Sequence, residues 1–125
     1  MLEVYELVKT QLSTLGIDVH ADLYPKALAK SKKYPYIVFN FPNTNNINFA
    51  DVNLLEIDIW DNKTSIVEIE TLAKQVDDIF KNLMITNESM FCNCFRNTPY
   101  RLKLDDEANG IQRRQMRYVC KCWIK

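Results

Sequence analysis

The sequence predicts an α+β domain in which a mostly antiparallel β-sheet carries two helices on one face. Three observations lead to this prediction. Residues 65–83 place apolar side chains at spacings of three and four, which is one stripe of an amphipathic helix. Residues 52–60, just before it, alternate apolar and polar side chains as a half-buried strand does. Residues 112–124 alternate in the same way after an Asn-Gly pair, a strong hairpin signal.

The remaining segments complete a predicted order α-β-β-β-α-β-β. Apolar spacing predicts a helix over residues 2–15, and Gly16 is a natural C-terminal stop. Residues 17–24 have an extended pattern and lead into a lysine-rich connection over residues 26–33. A strand over residues 36–41 then lies between two prolines.

An uncharged, asparagine-rich stretch at residues 43–48 has no helix or strand pattern and predicts a loop. It joins two predicted strands, so residues 36–60 form a long β-hairpin with an extended loop. Hairpin loops usually have about two to five residues, so a loop of this length is functional or disordered. Since it has little apolar surface to offset its ordering entropy, we expect it to be mobile in the isolated protein.

The second helix is predicted to begin with a capping box, because Ser65 precedes Glu68 by three residues. Beyond this helix the pattern predicts a strand over residues 90–97. Residues 100–104 are short and ambiguous, and residues 105–110 form an acidic turn.

Length and composition exclude several classes of function. The 125 residues fit a single domain spanning residues 1–125. Two glycines exclude a glycine-rich phosphate loop, and zero net charge argues against a general nucleic-acid binder. No apolar run approaches the roughly 20 residues of a membrane span. Glu3 and Glu6 interrupt any signal-peptide pattern, so we expect a protein made in the cytoplasm.

The charge is unevenly distributed along the chain. Residues 51–82 hold eight acids and three bases, a net −5, whereas residues 96–125 hold eight bases and three acids, a net +5. The two segments are either complementary patches on different copies of the chain or two solvated faces of one fold. The second interpretation is preferred, because charge patterning is a weak signal.

The four cysteines form two Cys-x-Cys pairs, Cys92 with Cys94 and Cys120 with Cys122. Residues two apart on a strand point the same way, so two neighbouring strands would bring four sulfurs together. Structural zinc sites, however, use a tight turn with C-x₂₋₄-C spacing. We therefore expect buried, reduced thiols in preference to a metal site or disulfides, in keeping with a cytosolic protein.

Other candidate sites have simpler explanations. Asp18, His20 and Asp22 would share one strand face, either as a metal or acid–base cluster or as an exposed polar face, and the second is preferred. The acidic run at residues 105–107 lacks the spaced oxygen ligands of a calcium loop. No nucleophile motif is recognisable. We expect no catalytic residue, cofactor or metal.

Two tryptophans lie on polar strand faces, away from the predicted helices. Tryptophan is enriched at interface hot spots, so these side chains indicate a contact surface. Alternatively the long loop covers them, or sheet twist turns them inward. With their charged neighbours and two loop asparagines, they give the candidate interface residues Trp60, Trp123, Glu56, Asp58, Arg117, Lys121, Asn45 and Asn46.

In this arrangement the chain resembles the tail terminator, or tail completion (head–tail joining), proteins of long-tailed bacteriophages. The resemblance covers nearly the full length and depends on the order of several short stretches. These are LYP at residues 23–25, YPYIVF at residues 34–39, LEIDIWD at residues 55–61, the amphipathic helix directly after it, and a basic, polar-aromatic final strand after an acidic turn. The asparagine-rich stretch and the Cys-x-Cys pairs are not features of that family.

The resemblance implies a structural virion protein and not an enzyme. Tail terminators form a hexameric ring that caps the tail tube, stops its polymerisation and joins the tail to the head connector. The implied partners are other copies of the chain, the tail tube protein and the head connector, with DNA passing through the ring and no membrane involved.

Two other classes of function stay open at this point. One is a nucleic-acid-binding accessory protein that uses the lysines of residues 26–33 and the basic final strand, with Lys26, Lys30, Lys32, Lys33, Arg113, Arg114 and Arg117. The other is a small enzyme of unknown chemistry, which the lack of a recognisable site disfavours.

Overall fold

The computed structural model describes residues 2–26, 32–106 and 110–125, and for residues 105 and 106 the backbone alone. The elements in chain order are α1 (Leu2–Ser13), β1 (Asp18–Ala21), β2 (Tyr36–Ile47), β3 (Ala50–Asp61), α2 (Val67–Phe80), β4 (Asn82–Thr86), β5 (Met90–Asp106) and β6 (Ile111–Ile124). The α+β class predicted from the sequence is confirmed. The order contains one strand more than predicted, β4.

The strands form one curled sheet in the order β1-β2-β3-β6-β5-β4. β1 pairs with β2 in parallel, and all other neighbours are antiparallel. The sheet is therefore mixed. The sequence predicts a mostly antiparallel sheet and does not specify the parallel pairing of β1 with β2. A parallel neighbour needs a crossover connection, and residues 22–35, of which 27–31 lie outside the described residues, join β1 to β2.

Both helices pack on the same core. Val8 and Leu12 of α1, Val76 and Phe80 of α2, and alternate residues of the strands such as Ile57 belong to one buried cluster. The alternation of the strands therefore places one face of the sheet against the helices. α1 ends at Ser13, two residues before the predicted end, and Gly16 follows with a φ of 73°, which suits a helix stop.

The predicted boundaries of the second helix need correction. α2 begins at Val67, and its N-cap residue, Ile66, makes no side-chain cap. Ser65 accepts a 3.2 Å hydrogen bond from the Val67 N–H, but Glu68 forms an ion pair with Lys63 instead of completing a capping box. The carboxylate of Glu68 has a lysine within reach, which competes with the backbone N–H of the first turn.

The predicted helix also extends too far at its C-terminal end. The chain leaves the helix at Lys81, and Leu83 lies in β4, opposite Cys94 of β5. Leu83 fits the helical stripe and equally fits the alternation of β4, in which Leu83 and Ile85 turn toward the core. Local periodicity does not distinguish helix from strand at Leu83. Pairing with the edge of β5 makes this segment a strand.

The asparagine-rich stretch is strand and not loop, so that prediction was wrong. β2 continues to Ile47, and a register shift between Asn40 and Asn43 accommodates Pro42. The hairpin closes through a two-residue turn at Asn48 and Phe49. Asparagine has low strand propensity, but β3 is long enough to offer this segment a hydrogen-bonding partner throughout.

β5 continues through the predicted break at Pro99, with a register shift between Arg96 and Arg101. The predicted final hairpin is confirmed, because residues 105 and 106 pair with residues 112 and 111 of β6. Residues 107–109 of its acidic turn lie outside the described residues. Within the described ranges, no helix has the length and apolar character needed to span a membrane.

Candidate interaction surface

The side of the sheet opposite the helices has no described helix against it, and we call it the outer face. Its residues alternate along each strand with the core residues and are mostly half-buried. They comprise Tyr36 and Val38 of β2; Val52, Leu54, Glu56, Asp58 and Trp60 of β3; Met84 of β4; Phe91 and Phe95 of β5; and Arg113, Gln115, Arg117, Val119, Lys121 and Trp123 of β6.

One half of the outer face holds paired charges, and we call it the charged half. Glu56 lies directly across from Arg117, with 3.5 Å between carboxylate and guanidinium. Asp58 contacts Arg113 at 2.9 Å and accepts a 3.2 Å hydrogen bond from Gln115. These candidate interface residues therefore already have partners within the chain.

Acidic and basic residues of the two segments also pair with each other on the helix side. Asp77 of α2 pairs with Arg96 of β5, and Glu70 pairs with both Arg101 and Arg114. The reason is topological, because β3 pairs with β6 and α2 packs on β6 and β5. Part of the charge asymmetry of the sequence is therefore compensated by ion pairs within the chain, and its role between copies stays a prediction.

Asp77 is the centre of the most buried of these polar groups. It accepts hydrogen bonds of 3.0 Å from both the Tyr118 hydroxyl and Arg96 Nε. Burial, and then the Asp77 charge, raise the pKa of Tyr118 well above its ordinary value. The Arg96 guanidinium also stacks on the ring of Tyr100, 4.2 Å from its centroid. This cluster ties α2 to β5 and β6.

Trp60 lies on the outer face, as the sequence predicts, at the end of β3. Its ring stacks on Tyr36 with centroids 6.0 Å apart, and the Arg113 guanidinium lies 4.6 Å from its centroid. Tyr24 also packs edge-on against Tyr36. Burial, and then the neighbouring Tyr34, raise the pKa of Tyr36 to about 12. Trp60 is therefore already in contact with Tyr36 and Arg113 of the same chain.

Trp123 lies on the same face at the opposite end of β6. It packs against Phe91 with ring centroids 5.3 Å apart, and Lys121 Nζ lies 5.1 Å from its centroid. Arg113 is the strand neighbour of Trp60, and it precedes Trp123 by ten residues. At ~3.3 Å per residue, roughly 33 Å separates the two tryptophans. They belong to different patches and not to one.

The half of the outer face near Trp123 is apolar, and we call it the apolar half. Val52, Leu54 and Val119 lie there beside Phe91, and neighbouring strands contribute Met84 and Phe95. Met84 is 66% exposed and Phe95 39%. Neither residue is among the predicted contact residues, because Met84 lies just beyond the predicted second helix and Phe95 lies on a strand whose outer side carries no tryptophan.

The tip of the β2–β3 hairpin is the most exposed apolar site on the described part of the chain. Phe49 is 94% exposed and Ile47 51%. Asn48 and Phe49 have φ values of 51° and 65°, the left-handed conformation that two-residue hairpin turns require. Glycine is favoured at the second of these positions, and a bulky side chain there is strained. Neither the strain nor the exposure contributes to folding, so this phenylalanine is a candidate contact residue.

The two candidate asparagines lie on the strand that leads to this tip. Asn45 is opposite Val52 and exposed, whereas Asn46 donates a 3.2 Å hydrogen bond to Asp51. Nearby, the side chain of the buried Asn53 accepts a 2.7 Å hydrogen bond from the Thr44 hydroxyl. It also donates a 3.2 Å hydrogen bond to the Cys120 carbonyl. The asparagine-rich strand is therefore held by side-chain amides as well as by its backbone ladder.

The four cysteines lie together on the core face, as predicted from their spacing. Cys92 lies opposite Cys122 and Cys94 opposite Cys120. A disulfide joins the first pair, so the expectation of four reduced thiols was wrong there. Cys94 and Cys120 are free and buried with their sulfurs 2.9 Å apart, and the contact with Cys94 together with burial raises the pKa of Cys120. Within the described ranges, no three acidic, histidine or cysteine side chains group as metal ligands.

The Asp18–His20–Asp22 strand face is held by aromatic contacts. His20 Nε2 lies 3.5 Å from the Asp18 carboxylate, and the His20 ring packs edge-on against Tyr24. The Tyr24 hydroxyl donates a 3.1 Å hydrogen bond to Asp18. Asp22 instead accepts a 2.9 Å hydrogen bond from the Tyr5 hydroxyl. The two carboxylates therefore have separate partners, and the geometry shows no acid–base or metal cluster.

The basic residues considered for nucleic-acid binding lie mostly against other groups. Each of Arg113, Arg114 and Arg117 contacts a carboxylate. Lys32 Nζ lies 5.6 Å from the Tyr24 centroid, and residues 27–31 of the lysine-rich connection lie outside the described residues. Nucleic-acid binding stays a prediction, which a gel shift with a salt titration tests, since phosphate contacts weaken steeply with salt.

No protein-family model matches the sequence, and no curated protein is significantly similar to it.

Proposed function

We propose that the protein is a bacteriophage tail terminator, which assembles as a hexameric ring on the tail tube, stops its polymerisation and joins the tail to the head connector. The observation on which this proposal depends is the uncovered apolar surface, formed by Phe49 and Ile47 at the hairpin tip and by Met84 and Phe95 on the apolar half. These residues form two exposed apolar patches on different sides of the sheet, and exposed apolar patches on a small protein mark sites of contact with other proteins.

The stretches that resemble the tail terminators have neighbouring positions in the fold. YPYIVF begins β2 and LEIDIWD ends β3, and these strands pair so that Tyr36 lies opposite Trp60. α2 follows directly and packs on the sheet. The stretches therefore form one unit of fold, which supports treating their order in the sequence as one motif.

The distribution of contact residues suits a ring. A ring needs a heterologous interface, with two different patches on each copy. Trp60 and its aromatic cluster lie at one end of the outer face, whereas Trp123, the apolar half and the hairpin tip lie at the other. Surfaces left after ring closure would contact the tail tube protein and the head connector.

The experiment is complementation of a phage from which this gene has been deleted. We expect the deletion to give tails of abnormal length that fail to join heads, and the unchanged gene to restore normal tails. Genes carrying Trp60→Ala or Trp123→Ala should restore normal tails poorly. Each purified variant is first checked to be folded. Lys74→Ala, at an exposed position on α2, is the matched control and should restore normal tails.

Two results would contradict the proposal at different levels. Normal-length, head-joined tails after deletion of the gene would reject the function itself. Normal tails with both tryptophan variants would reject only their role as contact residues.

A further inference from the structure

An apolar pocket and the exposed hairpin tip lie at opposite ends of the same strand, β2. Pro35, which lines the pocket, directly precedes the first residue of β2, whereas Phe49 follows its last residue by two positions. The 12 residues of β2, at ~3.3 Å each, place roughly 40 Å between the two ends. Phe49 therefore does not reach the pocket of its own chain.

The pocket lies between the N-terminal part of α2 and the residues that directly precede β1 and β2. Its volume is about 460 Å³, within the roughly 300–1,000 Å³ of pockets that hold small organic ligands, so it has room for a phenyl ring. The apolar residues of its lining are Ile17, Pro35, Val67 and Leu72. Val67 is 69% exposed, so part of this apolar lining is open to solvent.

Contacts within the chain hold the pocket in shape. Gln112 of β6 donates hydrogen bonds of 2.6 Å and 3.1 Å to the backbone carbonyls of Lys63 and Ser65. Lys63 Nζ lies 2.9 Å from the carboxylate of Glu68, so the two charged residues of the described lining neutralise each other. Because the lining is already ordered, binding there costs little conformational entropy.

The hairpin tip has the properties of a residue that inserts into such a pocket. Phe49 is 94% exposed, and its φ of 65° costs stability for a bulky side chain without any packing gain in the described chain. Residues 43–50 around it carry no charge. An uncharged tip can enter a pocket whose charges are already paired, because no unpaired charge becomes buried in the contact.

We propose that Phe49 of one copy inserts into the pocket lined by Ile17, Pro35, Val67 and Leu72 of a second copy. The contact is heterologous, because the tip and the pocket are different surfaces, and it can therefore repeat from copy to copy. This inference names a contact between neighbouring copies in the ring of the proposed function. It rests on that function for the ring, although the contact itself is testable with purified protein.

The size of the contact determines the conditions of the test. A buried aromatic side chain removes about 150–250 Å² from solvent, whereas a stable interface buries about 800 Å² on each partner. Insertion of Phe49 alone is therefore weak in the isolated protein, and other surfaces add to it in a ring. The contact has to be trapped covalently at high protein concentration.

The test incorporates a photoreactive benzophenone analogue of phenylalanine in place of Phe49. Irradiation should give a cross-linked dimer, and mass spectrometry of its peptides should place the cross-link at residues 63–75, 17 or 35. The same analogue in place of Met84, which is 66% exposed on β4, is the control and should give no cross-link to these residues. No dimer, or a dimer linked only to other residues, would overturn the proposal.

A second measurement places a charge in the pocket. Val67 is the first residue of α2, where an acidic side chain favours the helix, so Val67→Asp should fold. Its carboxylate in the apolar lining should cause loss of the cross-linked dimer. Leu2→Asp is the matched control, because Leu2 is the first residue of α1 and is also 69% exposed. It should leave the yield unchanged, and equal yields from the two folded variants would overturn the proposal.

The two proposals fail separately. If the cross-link forms in the pocket but deletion of the gene leaves tails normal, the contact between copies holds and the tail function is wrong. If deletion of the gene disrupts tails but no cross-link reaches the pocket, the function holds and this contact is wrong.

Discussion

The hydroxyl of Tyr118 donates a 3.0 Å hydrogen bond to the carboxylate of Asp77, across the interface between β6 and α2. Tyr118 is fully buried, and Asp77 is nearly so. The same carboxylate forms an ion pair with Arg96. A buried carboxylate with two donors is stable, whereas removal of one donor leaves part of its hydrogen-bonding capacity unsatisfied.

This contact predicts a specific dependence of stability on pH. Burial and Asp77 raise the pKa of Tyr118 in the folded state above its ordinary value of 10.0. The folded protein therefore keeps a proton that the unfolded chain releases. The contribution is fully present below pH 10 and falls as pH rises above it, by about 1.4 kcal/mol per pH unit for one group.

We expect Tyr118→Phe to lower the free energy of unfolding near neutral pH by about 1.5–3 kcal/mol, since a hydrogen bond to a charged group is lost. Above pH 10 the difference from the unchanged protein should shrink. Urea denaturation across this range measures both effects. Parallel pH profiles for the two proteins would show that Tyr118 does not hold its proton as described.

The core position of α2 predicts that Val76→Asp prevents folding. Val76 is fully buried, so the substitution places an unpaired carboxylate in the core at a cost of several kcal/mol. Gln75→Asp, at the exposed neighbouring position, is the control and should fold. Solubility and circular dichroism distinguish the outcomes, and a cooperatively melting Val76→Asp protein would contradict the assigned packing.

The strained turn predicts that Phe49→Gly stabilises the isolated protein. Glycine adopts the observed φ of 65° without a Cβ clash, and the 94% exposed ring loses almost no packing. We expect a gain of about 1 kcal/mol in the free energy of unfolding. Phe49→Ala keeps the strain and should show no gain. If Phe49→Gly is instead less stable than Phe49→Ala, the turn is not strained as described.

The charged half predicts a measurable coupling between Glu56 and Arg117. Their side chains are 20% and 25% exposed, so solvent screens the pair only partly. Arg117→Glu should destabilise the protein through like-charge contact, and the added Glu56→Arg should restore most of the loss, with a coupling of about 1 kcal/mol. Urea denaturation of all four proteins gives this value. Additive effects would show that the two side chains do not interact.

The cysteine pairs predict a thiol count. Under non-reducing conditions the folded protein should show no readily reactive thiol, because Cys94 and Cys120 are buried. The denatured protein should show two, because Cys92 and Cys122 are joined. A thiol-reactive dye measures both states. Four reactive thiols after denaturation would show that all four cysteines are reduced, as the sequence predicts. One bound zinc per chain would instead show that the cysteines form a metal site.

The elements that were predictable are those in which one local pattern has one structural solution. The stripe of α2 and the alternation of β3 and β6 specify which side chains face the core, and the structure buries Val76, Ile57 and Tyr118 accordingly. The side of the sheet on which Trp60 and Trp123 lie follows from the same alternation, because successive residues on a strand face opposite ways.

The failures occur where local pattern and tertiary partner disagree or where the pattern has two solutions. Residues 43–47 have poor strand propensity, and they form strand because β3 offers them a ladder. Leu83 suits helix and strand equally, and pairing with β5 decides between them. No local signal specified Met84 or Phe49 as exposed, since exposure depends on what else packs nearby.

The sequence by itself determined the α+β class, the two helices, the core-facing residues and the shared face of the four cysteines. Only the tertiary structure decided that acidic and basic side chains of the two segments pair with each other, that Cys92 is joined to Cys122, and that residues 43–47 form strand against β3. The physical reason is the range of the interactions. Periodicity and backbone preference act over a few residues, whereas strand order and register bring together residues far apart in the chain.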